Sequence, residues 1–238
     1  MGERKALLMF SGGKDSFLSA CLLVEQGFTV HLVTFEPGAG LCPENARHGT
    51  DRLSKKYGDR CVSLGVAHTG HIWRRFMAPM MNLKPTEVAR KYGELSVSQF
   101  NCLTCRSAMY TWCIAKARRG KYKFIAEGAR EDQKFAIEQR PMIKEFDNLV
   151  KSYGLSLLLP VYDQSDDRDL KDRMLARHFV PKVLEPQCLL GIAVCKPKLD
   201  ADEIGAARAY FRSEILKKAK SLIERPGEIN LEPFRGWR

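Results

Sequence analysis

The sequence predicts an α/β fold, an open parallel sheet with helices on both faces and a helical tail, on three observations. Apolar runs of strand length alternate with stretches of helical period, the connections between them are short, and the first strand runs directly into a glycine-rich turn and a helix. With 238 residues, 45% of them hydrophobic, the chain can bury one substantial core. The expected division is a main domain over residues 1–195 and a C-terminal helical extension over 196–238.

The first strand is Ala6–Phe10 and the first helix Phe17–Glu25; Ser11-Gly12-Gly13-Lys14-Asp15-Ser16 stands between them. That turn suits phosphate. Gly12 and Gly13 let an anion approach the backbone, the first amides of the helix point outward without partners, Ser11 and Ser16 add hydroxyls and Lys14 adds a charge. Asp15 would be repelled by phosphates unless it holds a metal or caps the amides, and a magnesium nucleotide reconciles it with its neighbours. The spacing is not that of a Walker loop, because Lys14 is followed by Asp.

Gly27 breaks the helix, and Phe28–Phe35 alternates as a strand before Glu36-Pro37-Gly38-Ala39-Gly40 ends it. Strand, helix and strand with short links form a βαβ unit with parallel strands. Ligands of such sheets sit beyond the carboxyl ends of the strands, which places Phe35 and its neighbours where backbone groups could grip an adenine. A polar helix over Pro43–Tyr57 and a third strand over Arg60–His68 follow. His31 reads as a packed histidine, His68 and His71 as weak evidence for a metal, and Trp73–Leu83 as a helix whose aromatic and Met residues serve the core.

Asn101-Cys102-Leu103-Thr104-Cys105-Arg106 precedes a helix, Ser107–Arg118, and a strand, Lys123–Gly128. A CxxC pair at a helix start has thiolates favoured by the dipole and by Arg106, which suits metal ligation or nucleophilic chemistry. The spacing leaves zinc, a redox disulfide and iron-sulfur open. Gly128-Ala129-Arg130-Glu131-Asp132 leaves the strand at its carboxyl end, where Asp132 or Glu131 could face the nucleotide's metal. After a long polar segment come a strand over Leu155–Tyr162, a helix capped by Asp166 and Asp167 and running to about Arg177, and the lone Cys188.

No run of about 18 apolar residues exists and no signal-peptide core precedes the first strand, so a cytoplasmic chain without a membrane span is expected. Eight cysteines are then not structural disulfides. Cys21, Cys61 and Cys113 sit in apolar patterns as small hydrophobes, Cys42 lies in a loop and Cys195 beside an edge strand. Lys and Arg number 39 against 28 acids, a formal +11, which suits either a polyanion such as RNA or a generally basic surface. The tail Asp202–Glu224 reads as an amphipathic helix for packing, for oligomerisation such as a homodimer contact, or for RNA; Pro226–Arg238, with Trp237, carries no reading.

The turn Ser11–Ser16 resembles the SGGxDS signature of the PP-loop ATP pyrophosphatases, a HUP-like Rossmann-type superfamily whose members cleave ATP between the α and β phosphates to adenylate a substrate. The CxxC, the Gly-Ala-x-x-Asp loop, the Pro-x-Tyr stretch and the Glu-x-x-Cys of Cys188 together resemble the tRNA thiolases of the two-thiouridine type, over roughly residues 5–190. The resemblance implies that Ser11, Gly12, Gly13 and Ser16 bind pyrophosphate, that Lys14 neutralises developing charge, and that Asp15 and Asp132 place Mg2+, with Phe35 and Gly128 beside the ATP. It implies further that Cys102, Cys105 and Cys188 hold a 4Fe-4S cluster with one open iron site; Zn2+ on the same residues, or a persulfide on Cys102 or Cys105 without metal, are its alternatives. The implied partners are a sulfur donor and either tRNA or a small carbonyl substrate. An amide-forming ligase like diphthamide synthetase, which also carries SGGKDS and uses ammonia, and a non-catalytic nucleotide-binding protein are the rival readings. The chain departs from those thiolases in having no further paired CxxC or CxxH for their zinc-finger modules.

Overall fold

The computed structural model describes residues 4–37, 40–133, 135–184, 187–188 and 201–234; Glu185, Cys195 and Trp237 lie outside them. The order of elements is β1 (Lys5–Met9), α1 (Lys14–Glu25), β2 (Thr29–Glu36), β3 (Gly40–Leu41), α2 (Ala46–Tyr57), β4 (Cys61–His68), α3 (Gly70–Met81), α4 (Pro85–Tyr92) and α5 (Val97–Gly120). Then come β5 (Phe124–Glu127), α6 (Arg140–Lys151), β6 (Ser156–Leu158), α7 (Asp167–Leu175), β7 (Gln187–Cys188), α8 (Ala201–Tyr210), a π-helical turn (Phe211–Ile215) and α9 (Leu216–Glu224).

Five strands form one parallel sheet in the order β4-β2-β1-β5-β6. β1 is apolar on both faces, as a strand covered on both sides must be. Leu7 and Met9 enter one core with Trp112 of α5, whereas Ala6 and Leu8 enter the other with Phe17 of α1 and Leu53 of α2. The connections reverse direction between β1 and β5, so the crevice for a ligand opens at the carboxyl ends of those two strands. β3 and β7 make a separate antiparallel ladder, Gly40 opposite Cys188.

Three expectations change, and the tail keeps its packing reading. α5 starts at Val97, with the Ser96 hydroxyl accepting from the Gln99 amide, and is buried on nearly every side. Its early turns hide Ser98, Gln99, Asn101 and Thr104, and the polarity of these residues masks the helical period in the sequence. The hydroxyls of Thr104, Ser107 and Thr111 are satisfied by carbonyls one turn back. The segment read as merely polar holds α6, which buries Met142, Ile143, Phe146, Leu149 and Val150 on one face. The strand expected over Leu155–Tyr162 stops at Leu158, because Pro160 has no amide to give and the chain turns there. The tail is a packing element: Tyr210 and Phe211 share the core of α5, the Tyr210 hydroxyl donates to the Phe76 carbonyl at 2.7 Å, and the Trp112 indole donates to the Asn230 carbonyl at 2.8 Å. Cys21, Cys61 and Cys113 are buried, as their patterns predict, and His31 is hydrogen-bonded to Tyr122. No helix among the described residues is long and apolar enough to cross a membrane.

Candidate functional site

One cavity occupies the crevice. It is lined by Ser11, Gly13, Asp15 and Ser16 of the turn, by Thr34 and Phe35 from the end of β2, and by Cys102, Cys105, Arg106, Glu127, Gly128, Glu138 and Cys188. Two stretches more than 85 residues apart in sequence, the glycine turn and the CxxC, therefore share one space.

The turn is shaped by its glycines. Gly12 has φ +81°, open to glycine at little cost, and a Cβ there would lie 2.5 Å from the Leu184 carbonyl oxygen and 2.9 Å from Ala46 Cα. Gly13 caps α1 with no side chain to satisfy the first amides, so those N–H groups are left for a ligand at the positive end of the helix. The Ser11 hydroxyl accepts from the Gly13 amide at 3.2 Å and lies 3.1 Å from the Ser16 hydroxyl, which places both hydroxyls in the turn. Gly128 closes the other side: a Cβ on it would meet the Ser16 nitrogen at 2.5 Å.

Lys14 and Asp132 do not line the cavity. The Lys14 ammonium is 2.5 Å from Asp167 at the start of α7. Asp15 and Asp132 do come together, each 3.3 Å from the Arg130 Nε. Burial holds the Asp15 carboxyl above the ordinary range despite Arg130 and Lys14, with Asp132 and Asp167 adding to the rise. Its Oδ1, with Nε and Nη1 of Arg130, has no hydrogen-bond partner among the described residues. Glu131 faces elsewhere, in a two-point pair with Arg140 at 2.6 Å.

The cysteines correct a sequence reading. Cys102 sits in the second turn of α5 and Cys105 in the third, beyond the reach of its terminal dipole, and Arg106 is engaged by Glu127 and by Glu138 at 3.1 Å. Burial pushes the Cys105 thiol up to about 12; the nearby thiols of Cys102 and Cys188 add to the rise, and Arg106 offsets only part of it. Cys188 arrives on the β3–β7 ladder and accepts from the Asn101 amide nitrogen at 3.5 Å. Among the described residues no three His, Cys, Asp or Glu side chains are gathered to hold an ion as they stand.

No family model and no curated protein matches the sequence. Among solved structures, a 4-thiouridine synthetase–RNA complex with bound ATP is similar at TM-score 0.57 and 12% identity, over 93% of this chain and 53% of that one. At that identity the likeness is one of fold, an open parallel α/β sheet with helices around it. Weaker likenesses are to the U34-tRNA thiolase NcsA from Methanococcus maripaludis with its 4Fe-4S cluster (TM-score 0.47, 14% identity, 100% of this chain and 77% of that one) and to an NMN synthetase from Francisella tularensis (0.49, 10%, 99% and 89%).

Sequence reasoning missed a buried network beside the PP-loop. Glu127, 1% exposed, accepts from Arg106 and from the Tyr110 hydroxyl at 2.5 Å. The signal was present, since an acid ending the apolar strand Phe124-Ile125-Ala126 needs a cation inside. Glu127 and Glu138 share the Arg106 guanidinium, Asp15 adds negative charge near Glu138, and Glu138 Oε2 is left without a hydrogen bond. Burial therefore raises the Glu138 carboxyl from 4.5 to about 7, over the opposing pull of Arg106. A raised carboxyl stabilises the fold below its unfolded value and loses that contribution as pH climbs through the folded one. Between pH 4.5 and 7 the wild type should lose on the order of 3 kcal/mol relative to Glu138→Gln. Urea melts of the two proteins across that window check this; parallel pH profiles would refute it.

Proposed function

We propose that the chain adenylates a carbonyl oxygen with ATP, releases pyrophosphate and then replaces that oxygen with sulfur on an RNA base. The observation that supports the reading is that one cavity is lined both by the glycine turn, whose free amides suit phosphate, and by three thiols. RNA and ATP are what the 4-thiouridine synthetase of like fold was solved with, and a net +11 suits an RNA partner.

The substrate's carbonyl oxygen attacks the α-phosphorus, and pyrophosphate departs against the first amides of α1 and the Ser11 and Ser16 hydroxyls. Arg130, ion-paired with Asp15 and Asp132 through an Nε that makes no hydrogen bond, supplies positive charge beside the turn. Lys14 reaches the departing charge by leaving Asp167, a partner it holds at a part-exposed position. Asp15 and Asp132 would hold Mg2+, and the orphaned Asp15 oxygen fits that role; the ion supplies charge neutralisation on the phosphates. Sulfide then adds to the adenylated carbon, and AMP leaves carrying the original oxygen. Cys102, Cys105 and Cys188 line one cavity and are the donor type that would hold a 4Fe-4S cluster, which when bound would supply iron chemistry for carrying sulfur. Gly128 and Phe35 border the space left for the nucleoside.

The test is the iron and acid-labile sulfide content of protein purified without oxygen, wild type beside Cys188→Ala. About four irons in the wild type, lost in the variant together with sulfur transfer, are expected. Iron-free wild type after reconstitution would remove the cluster, and unchanged turnover in Cys188→Ala would remove the sulfur chemistry in favour of an amide-forming ligase.

A further inference from the structure

A positively charged groove lies outside the candidate site, between α2 and the chain leaving α7. His48, Arg52, Lys55 and Lys56 line it from α2, His178 and Lys182 from the other side, and no acidic side chain lines it among the described residues. Its frame is fixed. Arg52 donates to the carbonyls of Val180 at 2.6 Å and Lys182 at 2.8 Å, and its guanidinium lies 5.4 Å from the Phe179 ring. The nearby acids are already engaged, Glu25 by Arg177 at 2.6 Å and Asp51 by Arg47 at 3.6 Å. Lys55, Lys56 and Lys182 remain exposed along the rim.

Both walls of this groove run to the PP-loop. Gly12 packs so closely on Ala46, at the start of α2, and on the Leu184 carbonyl, just past Lys182, that a Cβ there would lie within 3.0 Å of each. The same strand of chain goes on to Cys188 in the cavity. A polyanion lying in the groove is thus led to the site along two covalent paths.

We propose that this groove holds the phosphodiester backbone of the RNA whose base enters the cavity, an inference that rests on the RNA-directed reading above. Fixed cations without acidic neighbours, open to solvent along a track, are how proteins engage nucleic-acid phosphates, which position the substrate without reading its sequence. A protein partner would need a desolvated apolar anchor at the centre, and here Phe179 is buried under Arg52 and Lys56.

The experiment is fluorescence anisotropy with labelled unfractionated transfer RNA over a salt series, using the full chain, the Lys55→Glu/Lys182→Glu variant and a charge-matched control, Lys217→Glu/Lys218→Glu on α9. Thermal melts verify folding. The groove variant should bind at least about tenfold more weakly, with a log K against log salt slope shallower by about 1.4 to 1.8, two contacts' worth, while the control stays within about twofold of wild type. Equal losses in both variants, no RNA binding by the wild type, or selective capture of poly-glutamate in place of RNA would each overturn the groove. Pyrophosphate release from ATP with RNA present is read in parallel: if it persists in a wild type whose binding ignores Lys55 and Lys182, the groove falls and the catalytic reading stands. If RNA binds through the groove and no pyrophosphate appears, the chemistry falls instead.

Discussion

Gly128→Ala is expected to cut ATP-dependent pyrophosphate release by two orders of magnitude or more. The added methyl would sit 2.5 Å from the Ser16 nitrogen, 2.7 Å from the Asp15 carbonyl carbon and 2.8 Å from Ser16 Cα, all backbone atoms of the first turn of α1. Backbone cannot swing aside as a side chain can, so the turn or the end of β5 must move by about an ångström, and displacements of that size cost reacting geometries about a hundredfold. The penalty to folding should be smaller, about 1 to 3 kcal/mol, because it is that of one overpacked methyl. Steady-state pyrophosphate release beside a thermal melt separates the two effects. Full activity in a folded Gly128→Ala protein would show that the first turn of α1 does not hold the phosphates.

Arg106→Met should be the most destabilising single change in the site. It leaves the Glu127 carboxylate, 1% exposed, with the Tyr110 hydroxyl as its remaining side-chain donor among those described, and strips Glu138 of its cation. Removing one partner of a buried pair costs about 3 to 5 kcal/mol, which for a chain of this size lowers the melting temperature by about 10 °C. Adding Glu127→Gln should recover part of the loss, since the uncompensated charge is then gone. A loss below about 1 kcal/mol, or no recovery in the double variant, would mean the network is not the electrostatic unit its geometry describes.

The parts of this fold legible in the sequence are those where one period dominates. β1 is an apolar run and β2 alternates in strand fashion, and the turn after β1 has residue types with few other uses. α5 was half hidden because its buried face includes Ser98, Gln99, Asn101 and Thr104, whose hydrogen bonds are made inside the protein and leave no hydropathy signal. α6 was overlooked although Met142, Phe146 and Leu149 recur at helical spacing, because charged residues on its outer face lower the local average. Within the site, Ser11, Gly13, Asp15, Ser16, Cys102, Cys105 and Cys188 do line one cavity. The ion-pair partners Glu127, Glu138, Arg130 and Asp167 carry no local signal, because pairing across 21 to 153 positions follows from sheet order and helix packing.

The three thiols also differ in how they are held. Cys102 and Cys105 belong to α5, the most buried helix, and can leave the cavity only when the whole cooperative core unfolds. Cys188 rests on a ladder of two residue pairs outside the main sheet. Such small ladders open by local fluctuation at a fraction of the global free energy. The cavity therefore has one wall anchored in the cooperative core and another held by two residue pairs, so the glycine turn and the Cys188 side need not share one opening free energy.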